Sequence, residues 1–232
     1  MLDNKCSFNQ IYKFDGEHVI DGVSIREVRR GLSRGLAEYL SQLGKSYDCI
    51  SAIPNTGYFY AECLAEALGC KFSRIFEKKL FKRTLGSAVK KRLSTYDSLL
   101  MSLDKVDKTA HTLFVDEALL SGLTVQIIAN ACQEIGLKRY SFAFMSPIAM
   151  CHCPWGHIKN TDRWFEGLNV EPTQANIETR RLALIDTTQA QDIIHCPPHV
   201  FFSVIDSTAN CSLCFYDDIP ALISCRNVMP IC

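Results

Sequence analysis

The segment Leu113-Phe114-Val115-Asp116-Glu117-Ala118-Leu119-Leu120-Ser121-Gly122-Leu123-Thr124 concentrates residue types that can do chemistry. An apolar run suited to a buried strand ends in two adjacent acids. A short apolar stretch follows, and Ser121-Gly122-Leu123-Thr124 then opens a helical pattern. Backbone N–H groups around Gly122, the hydroxyls of Ser121 and Thr124 and the start of a helix can together hold a phosphate. Asp116 and Glu117, at the strand end, can accept hydrogen bonds from vicinal ribose hydroxyls. Ribosyl transfer from a pyrophosphate ester passes through an oxocarbenium-like state. The protein must therefore fix both ends of the sugar and neutralise the leaving group. Two acids beside a phosphate loop meet that need.

Three other groups stand out. Pro54-Asn55-Thr56-Gly57 is a turn with backbone and hydroxyl donors after an apolar run. The stretch 77–92 is basic and irregular, with Lys78, Lys79, Lys82, Arg83, Lys90, Lys91 and Arg92, and reads as a mobile loop. Cys211-Ser212-Leu213-Cys214 is a CxxC, in which two thiolates can reach one metal or redox centre.

The elements that must position these residues follow from periodicity. Ile25, Val28, Leu32, Leu36, Tyr39 and Leu43 share a helical face across residues 24–43, and Ser24 with Glu27 forms a capping box at its start. A strand is expected over 47–53, the Pro-Asn-Thr-Gly turn, and a helix from Tyr58 closed by Gly69. A strand over 71–75 comes next. A helix is predicted to run towards Met101, a strand over 112–115, a helix over 124–135 stopped by Gly136, and a strand over 140–145. This alternation predicts an α/β fold: a parallel twisted sheet with helices on both faces, and ligands beyond the carboxyl ends of the strands. Residues 1–150 read as the core. Residues 151–232, where cysteines and prolines concentrate, read as a less regular cysteine-containing cap or tail of the same globular unit.

Composition narrows the classes. Lys plus Arg equals Asp plus Glu, 25 against 25, so no global charge draws the chain to nucleic acid or an anionic membrane. No apolar stretch approaches the length of a membrane helix, and Met1-Leu2-Asp3-Asn4-Lys5 lacks the apolar core of a signal peptide. A cytoplasmic location is the expectation. Twelve cysteines in such a compartment are expected as thiols, some of them metal ligands.

The strand, two acids and Gly-x-Thr resemble the signature of type I phosphoribosyltransferases. A narrower resemblance extends along the chain. Cys6-Ser7-Phe8-Asn9-Gln10-Ile11-Tyr12, Asp21-Gly22-Val23-Ser24, Ile53-Pro54-Asn55-Thr56-Gly57, Lys82-Arg83-Thr84, Val115-Asp116-Glu117, Ser146-Pro147-Ile148-Ala149 and Cys211-Ser212-Leu213-Cys214-Phe215 occur in the order of the amidophosphoribosyltransferase family. That family joins a glutaminase domain to a phosphoribosyltransferase domain, and this chain looks like the second part standing alone.

The resemblance implies 5-phosphoribosyl 1-pyrophosphate (PRPP) and Mg²⁺, with pyrophosphate released to a nitrogen nucleophile. By it, Asp116 and Glu117 hold the ribose hydroxyls, and Ala118, Ser121, Gly122, Leu123 and Thr124 belong to the 5-phosphate loop. Asn55, Thr56 and Gly57 form the pyrophosphate loop. Lys79, Lys82 and the catalytic Arg83 lie on a loop that closes over substrate. In one branch of the family four cysteines hold a 4Fe–4S cluster, and Cys6, Cys153, Cys211 and Cys214 resemble them. Zinc suits four thiolates equally, and Cys151 is an alternative to Cys153.

Departures from the family bear on the nucleophile. Glu117 stands for an aspartate, Ser121 for a basic residue, Leu80 for a tyrosine, and the stretch at Leu85-Gly86-Ser87 is shortened. The nucleophile is left open among free ammonia, ammonia from a separate subunit, or another amine or nitrogen heterocycle. A non-catalytic PRPP- or ribonucleotide-binding regulator, or a partner subunit of a separate glutaminase, is the alternative. A homo-oligomer is expected.

Overall fold

The computed structural model describes residues 5–78, 99–102, 106–120, 122–149, 174–206 and 210–215. Its centre is a sheet of five strands, all parallel: β3 (Cys49–Ala52), β4 (Lys71–Phe72), β7 (His111–Asp116), β8 (Arg139–Phe144) and β9 (Ile193–His195), in the order β4-β3-β7-β8-β9. Two small antiparallel pairs flank it. They are β1 (Val19–Ile20) with β2 (Val23–Ser24), and β5 (Phe76–Lys78) with β6 (Leu99–Met101).

Strand alternation sends side chains to two separate cores. On one face Leu113 and Val115 pack with α2 (Ile25–Gln42), through Leu32, Leu36 and Leu40, and with α3 (Gly57–Leu68), through Tyr60 and Leu64. The short helices α1 (Ser7–Tyr12) and α6 (Pro198–Val204) complete that layer, with Phe8, Ile11 and Phe201. On the other face Phe114, Phe142 and Phe144 pack with Ile128 and Cys132 of α4 (Leu123–Ile135) and with Ile177 and Leu184 of α5 (Gln174–Thr188).

Local signals act as chemistry requires. The Ser24 hydroxyl accepts from the Glu27 N–H and the Glu27 carboxylate accepts from the Ser24 N–H, a complete capping box. Gly69 and Gly136 end α3 and α4 in the left-handed region, with φ of 66° and 77°.

Three differences from the sequence reading have physical causes. Leu99–Met101 is a strand rather than part of a helix, because pairing with β5 overrides local propensity. The strand expected over 71–75 stops at Phe72, and the chain re-forms a strand at Phe76 in a different sheet. The region read as an irregular tail instead supplies α5, β9 and α6, so the sheet's edge strand comes from beyond residue 150. Among the described residues, no helix is long and apolar enough to cross a membrane.

Candidate functional site

Two loops meet at the carboxyl edge of the sheet. After β3 the chain passes through Ile53-Pro54-Asn55-Thr56, with a cis Pro54–Asn55 peptide, into α3. After β7 it passes through Asp116, Glu117 and Ala118 towards α4. β3 and β7 are neighbours, with Ala52 opposite Val115, so both helices begin at one edge. Their N–H ends supply positive partial charge there.

The loops are fastened together. The Ile53 N–H donates to the Val115 carbonyl at 2.8 Å. A Cβ on Gly57 would collide with that same oxygen, so only glycine permits this approach. The Thr56 hydroxyl donates to Asp116 Oδ1 at 3.4 Å, and that oxygen also accepts the Glu117 N–H at 3.0 Å. One carboxylate therefore links the two loops.

The two acids differ. Asp116 is half-buried, on the face of Phe114. Glu117 is only 6% exposed, and its Oε2 has no hydrogen-bond partner among the described residues. The ladder continues past Asp116, because the Ser146 N–H donates to the Glu117 carbonyl at 3.0 Å. Strand alternation thus turns Glu117 towards the α2–α3 face. Its charge is felt there by the Tyr60 phenol. Burial raises the pKa of that phenol, the Arg29 guanidinium lowers it, and Glu117 raises it again. A buried carboxylate oxygen without a donor is costly, and vicinal hydroxyls are donors that would answer it.

Of the residues expected to form a phosphate loop, Gly122 caps α4 in the left-handed region at φ 69°, and its carbonyl accepts the Gln126 N–H at 3.0 Å. Thr124 is exposed, Ala118 half-buried and Leu123 buried. Asn55 is exposed and Thr56 half-buried beside it. Ser121, Lys79, Lys82, Arg83 and Cys153 lie outside the described residues.

The remaining predicted metal ligands come from neighbouring segments. Cys6 and Cys211 face each other in a parallel bridge, with the Ser7 N–H donating to the Cys211 carbonyl at 3.0 Å and the Cys211 N–H to the Lys5 carbonyl at 2.6 Å. The Ser7 and Ser212 hydroxyls are 2.5 Å apart. Cys6 and Cys214 are buried in one core with Phe8 and Phe215. Among the described residues, however, no group of three or more His, Cys, Asp or Glu side chains is arranged to hold a metal ion.

At the next two strand ends, sequence reasoning gave Ser146 no role beyond its place in Ser146-Pro147-Ile148-Ala149 and missed His195. Phe144 pairs with Asp116 on one side and His195 on the other. The Phe144 and His195 rings stack at 5.3 Å. Burial, the largest cause, pushes the His195 pKa down to about 3; Arg181 pushes the same way, and a hydrogen bond with the Ser146 backbone opposes. Ser146 is fully buried, and its hydroxyl has no partner among the described residues. The available signal was position, since Ser146 follows an apolar strand and His195 ends one.

The sheet order and flanking helices are those of the type I phosphoribosyltransferase fold. Over 93% of its length the chain superposes on 46% of the Bacillus subtilis glutamine PRPP amidotransferase complexed with ADP and GMP, with a TM-score of 0.69 at 19% identity. It covers 45% of a second structure, described as the allosteric regulatory enzyme of purine biosynthesis, with a TM-score of 0.70 at 17% identity. In sequence the chain is a distant homologue of the amidophosphoribosyltransferases. It is 26% identical to that of Pseudomonas aeruginosa over 148 residues, 61% of this chain and 29% of the relative. It is 24% identical to that of Methanocaldococcus jannaschii over 163 residues, 65% and 32% of the two lengths. The aligned part thus spans about a third or less of each of these relatives. No protein-family model matches the chain.

Proposed function

We propose that this chain binds PRPP with Mg²⁺ at the joined loops and transfers its phosphoribosyl group to ammonia or another amine, releasing pyrophosphate. The observation that carries this reading is the junction itself: two adjacent strand-to-helix loops in backbone contact at Gly57 and Val115, sharing Asp116, beside a buried carboxylate oxygen that lacks a donor. The start of α4 at Gly122 would take the 5-phosphate, and the start of α3 the pyrophosphate. Asp116 and Glu117 would hold the ribose hydroxyls, fixing the sugar between two anion sites while charge develops at the anomeric carbon. Bound Mg²⁺ would neutralise the pyrophosphate and make it a better leaving group. Lys79, Lys82 and Arg83 would add positive charge beside it.

Calorimetry with PRPP and Mg²⁺, followed by an acceptor screen that detects pyrophosphate, tests both halves. Binding together with pyrophosphate release is the expected result. Binding without release for any amine would leave a non-catalytic regulator or a partner of a separate glutaminase, the reading favoured by Leu80 and the shortened segment Leu85-Gly86-Ser87. No binding sinks both.

Cys6, Cys211 and Cys214, with Cys153, are proposed ligands of a 4Fe–4S cluster, with structural zinc as the competing metal. Support comes from the bridge that joins Cys6 to Cys211 and from the shared burial of Cys6 and Cys214. A metal there would pin the amino-terminal segment to the residues around 211–215, some two hundred positions away. Anaerobic purification and metal analysis decide: absorbance near about 400 nm marks thiolate-ligated iron, and stoichiometric zinc the alternative.

A further inference from the structure

We infer that Arg29 is a positioning residue of the proposed site: from α2 it supplies the counter-charge that steadies Glu117 for the ribose hydroxyls. The inference rests on the PRPP reading above. It deepens that reading by giving the buried acid a charge partner from a helix outside the site's two loops.

The backbone places the two side chains on one face. Asp116 pairs with Phe144, and the ladder runs one step further. The Met145 N–H donates to the Asp116 carbonyl at 3.1 Å and the Ser146 N–H to the Glu117 carbonyl at 3.0 Å. Glu117 and Met145 are therefore neighbours on the side that faces α2 and α3. Met145 is fully buried there with Leu32 and Tyr60, and its sulfur lies 3.9 Å from the Ser33 hydroxyl. That hydroxyl also donates to the Arg29 carbonyl at 3.0 Å. Because α2 leads into the start of β3, it runs against the strands, and the turn before Ser33 lies nearer the carboxyl edge. Arg29 occupies that turn.

The Arg29 side chain is held for the role. Its guanidinium carbon stands 5.8 Å from the centre of the Tyr60 ring, and a terminal nitrogen donates to the Phe14 carbonyl at 2.8 Å. Its Nε is shielded from solvent and, like Glu117 Oε2, has no hydrogen-bond partner among the described residues. A donor and an acceptor of opposite charge thus share the surroundings of one buried ring. The Tyr60 hydroxyl itself is engaged elsewhere, donating to the Ile11 carbonyl at 2.8 Å. Burial is the largest influence on that phenol. Among the charges it feels, that of Arg29 is positive and those of Glu117 and Asp116 are negative. Attraction through a packed interior is screened less than through water. The cation acts through space, so Oε2 stays open to a sugar hydroxyl.

The test is a double-mutant cycle in the full chain, read by calorimetry with PRPP and Mg²⁺ and, separately, with pyrophosphate and Mg²⁺. Arg29→Met should weaken PRPP binding about tenfold when Glu117 is present but less than about twofold in the Glu117→Gln background, the signature of a charge acting on that acid. Pyrophosphate, which carries no ribose, should bind within about twofold of the original throughout. Arg29→Lys should recover most of the PRPP affinity. Arg29→Gln keeps a donor for the Phe14 carbonyl without the charge; it should behave like Arg29→Met and replaces it if that variant melts early. Equal losses in both backgrounds, or a pyrophosphate loss as large as that of PRPP, make Arg29 a structural residue and overturn the inference. So does an unchanged PRPP affinity in folded Arg29→Met. If the unaltered chain binds no PRPP, the ligand reading fails first and this inference falls with it, whereas the other failures leave that reading standing.

Discussion

The two ends of the central sheet treat polar residues in opposite ways. At the amino end, nearly every polar group has a partner. The His111 N–H donates to Asp48 Oδ2 at 2.7 Å, and His111 Nε2 lies 3.0 Å from the Ser141 hydroxyl. Lys45 pairs with Asp192 at 2.8 Å, and Arg181 bridges Asp192 and Glu178 at 2.7 Å each. Among the described residues of that end, the Tyr47 hydroxyl is left over, and its ring packs on His111 at 4.8 Å. At the carboxyl end, Glu117 Oε2 and the Ser146 hydroxyl are buried without partners among the described residues, while glycine lets two loops touch. Satisfied groups stabilise the fold. Unsatisfied ones cost stability and are kept where a ligand can answer them.

The largest effect that could break this contrast is at Gly57. Gly57→Ala places a methyl against the Val115 carbonyl. It should cost about 3 kcal/mol in urea denaturation, the upper part of the overpacking range, and abolish PRPP binding. Next comes Glu117→Ala. PRPP affinity measured by calorimetry should fall about 10- to 100-fold, as for lost hydrogen bonds to a charged group. Stability should hold or rise, because a buried, unanswered carboxylate is removed; a clear loss of stability would make Glu117 an ordinary structural residue.

The two ends also differ in pH response. His195 charges in the unfolded state near the ordinary imidazole value of 6.5 but only at about 3 when folded. The unfolded chain therefore binds the extra proton first as pH falls. Stability from the buried neutral ring is fully present above 6.5 and drains between there and about 3, at up to about 1.4 kcal/mol per pH unit. His195→Leu should flatten that part of the stability curve. His111, whose pKa is lowered chiefly by burial and also by Arg139, should give a weaker dependence of the same sign.

Smaller effects sharpen the amino end. Asp48→Ala removes the partner of the His111 N–H and should cost about 1 kcal/mol, leaving PRPP binding unchanged by calorimetry. Lys45→Met breaks a partly exposed ion pair and should change stability by only a few tenths of a kcal/mol. A loss of ligand affinity from either change would blur the distinction between the ends.

Much of the architecture was legible in the sequence. The capping box at Ser24 and Glu27, the closing glycines Gly69 and Gly136, and the apolar strand before Asp116 are local signals, each complete within a few residues. The strand at Leu99–Met101 and the place of β9 in the sheet were not legible, because their pairing partners lie elsewhere in the chain. At the site, Asp116 and Glu117 read as equivalent neighbours, yet alternation along a continuing ladder gives them opposite faces and different burial. Ser146 was legible only as part of a family motif and His195 not at all, because their burial beside Glu117 and Phe144 exists only once the strands are aligned.

The sequence by itself determined which segments alternate between strand and helix, where the residues proposed to bind phosphate are concentrated, and that charge offers no global attraction. Those properties depend on short-range periodicity, capping and composition. Only the tertiary structure decided that Gly57 must be glycine, that Cys6 lies against Cys211, and that Glu117 and Ser146 are buried polar neighbours. Close approach and burial are properties of pairs distant along the chain, and they exist only once the sheet has assembled.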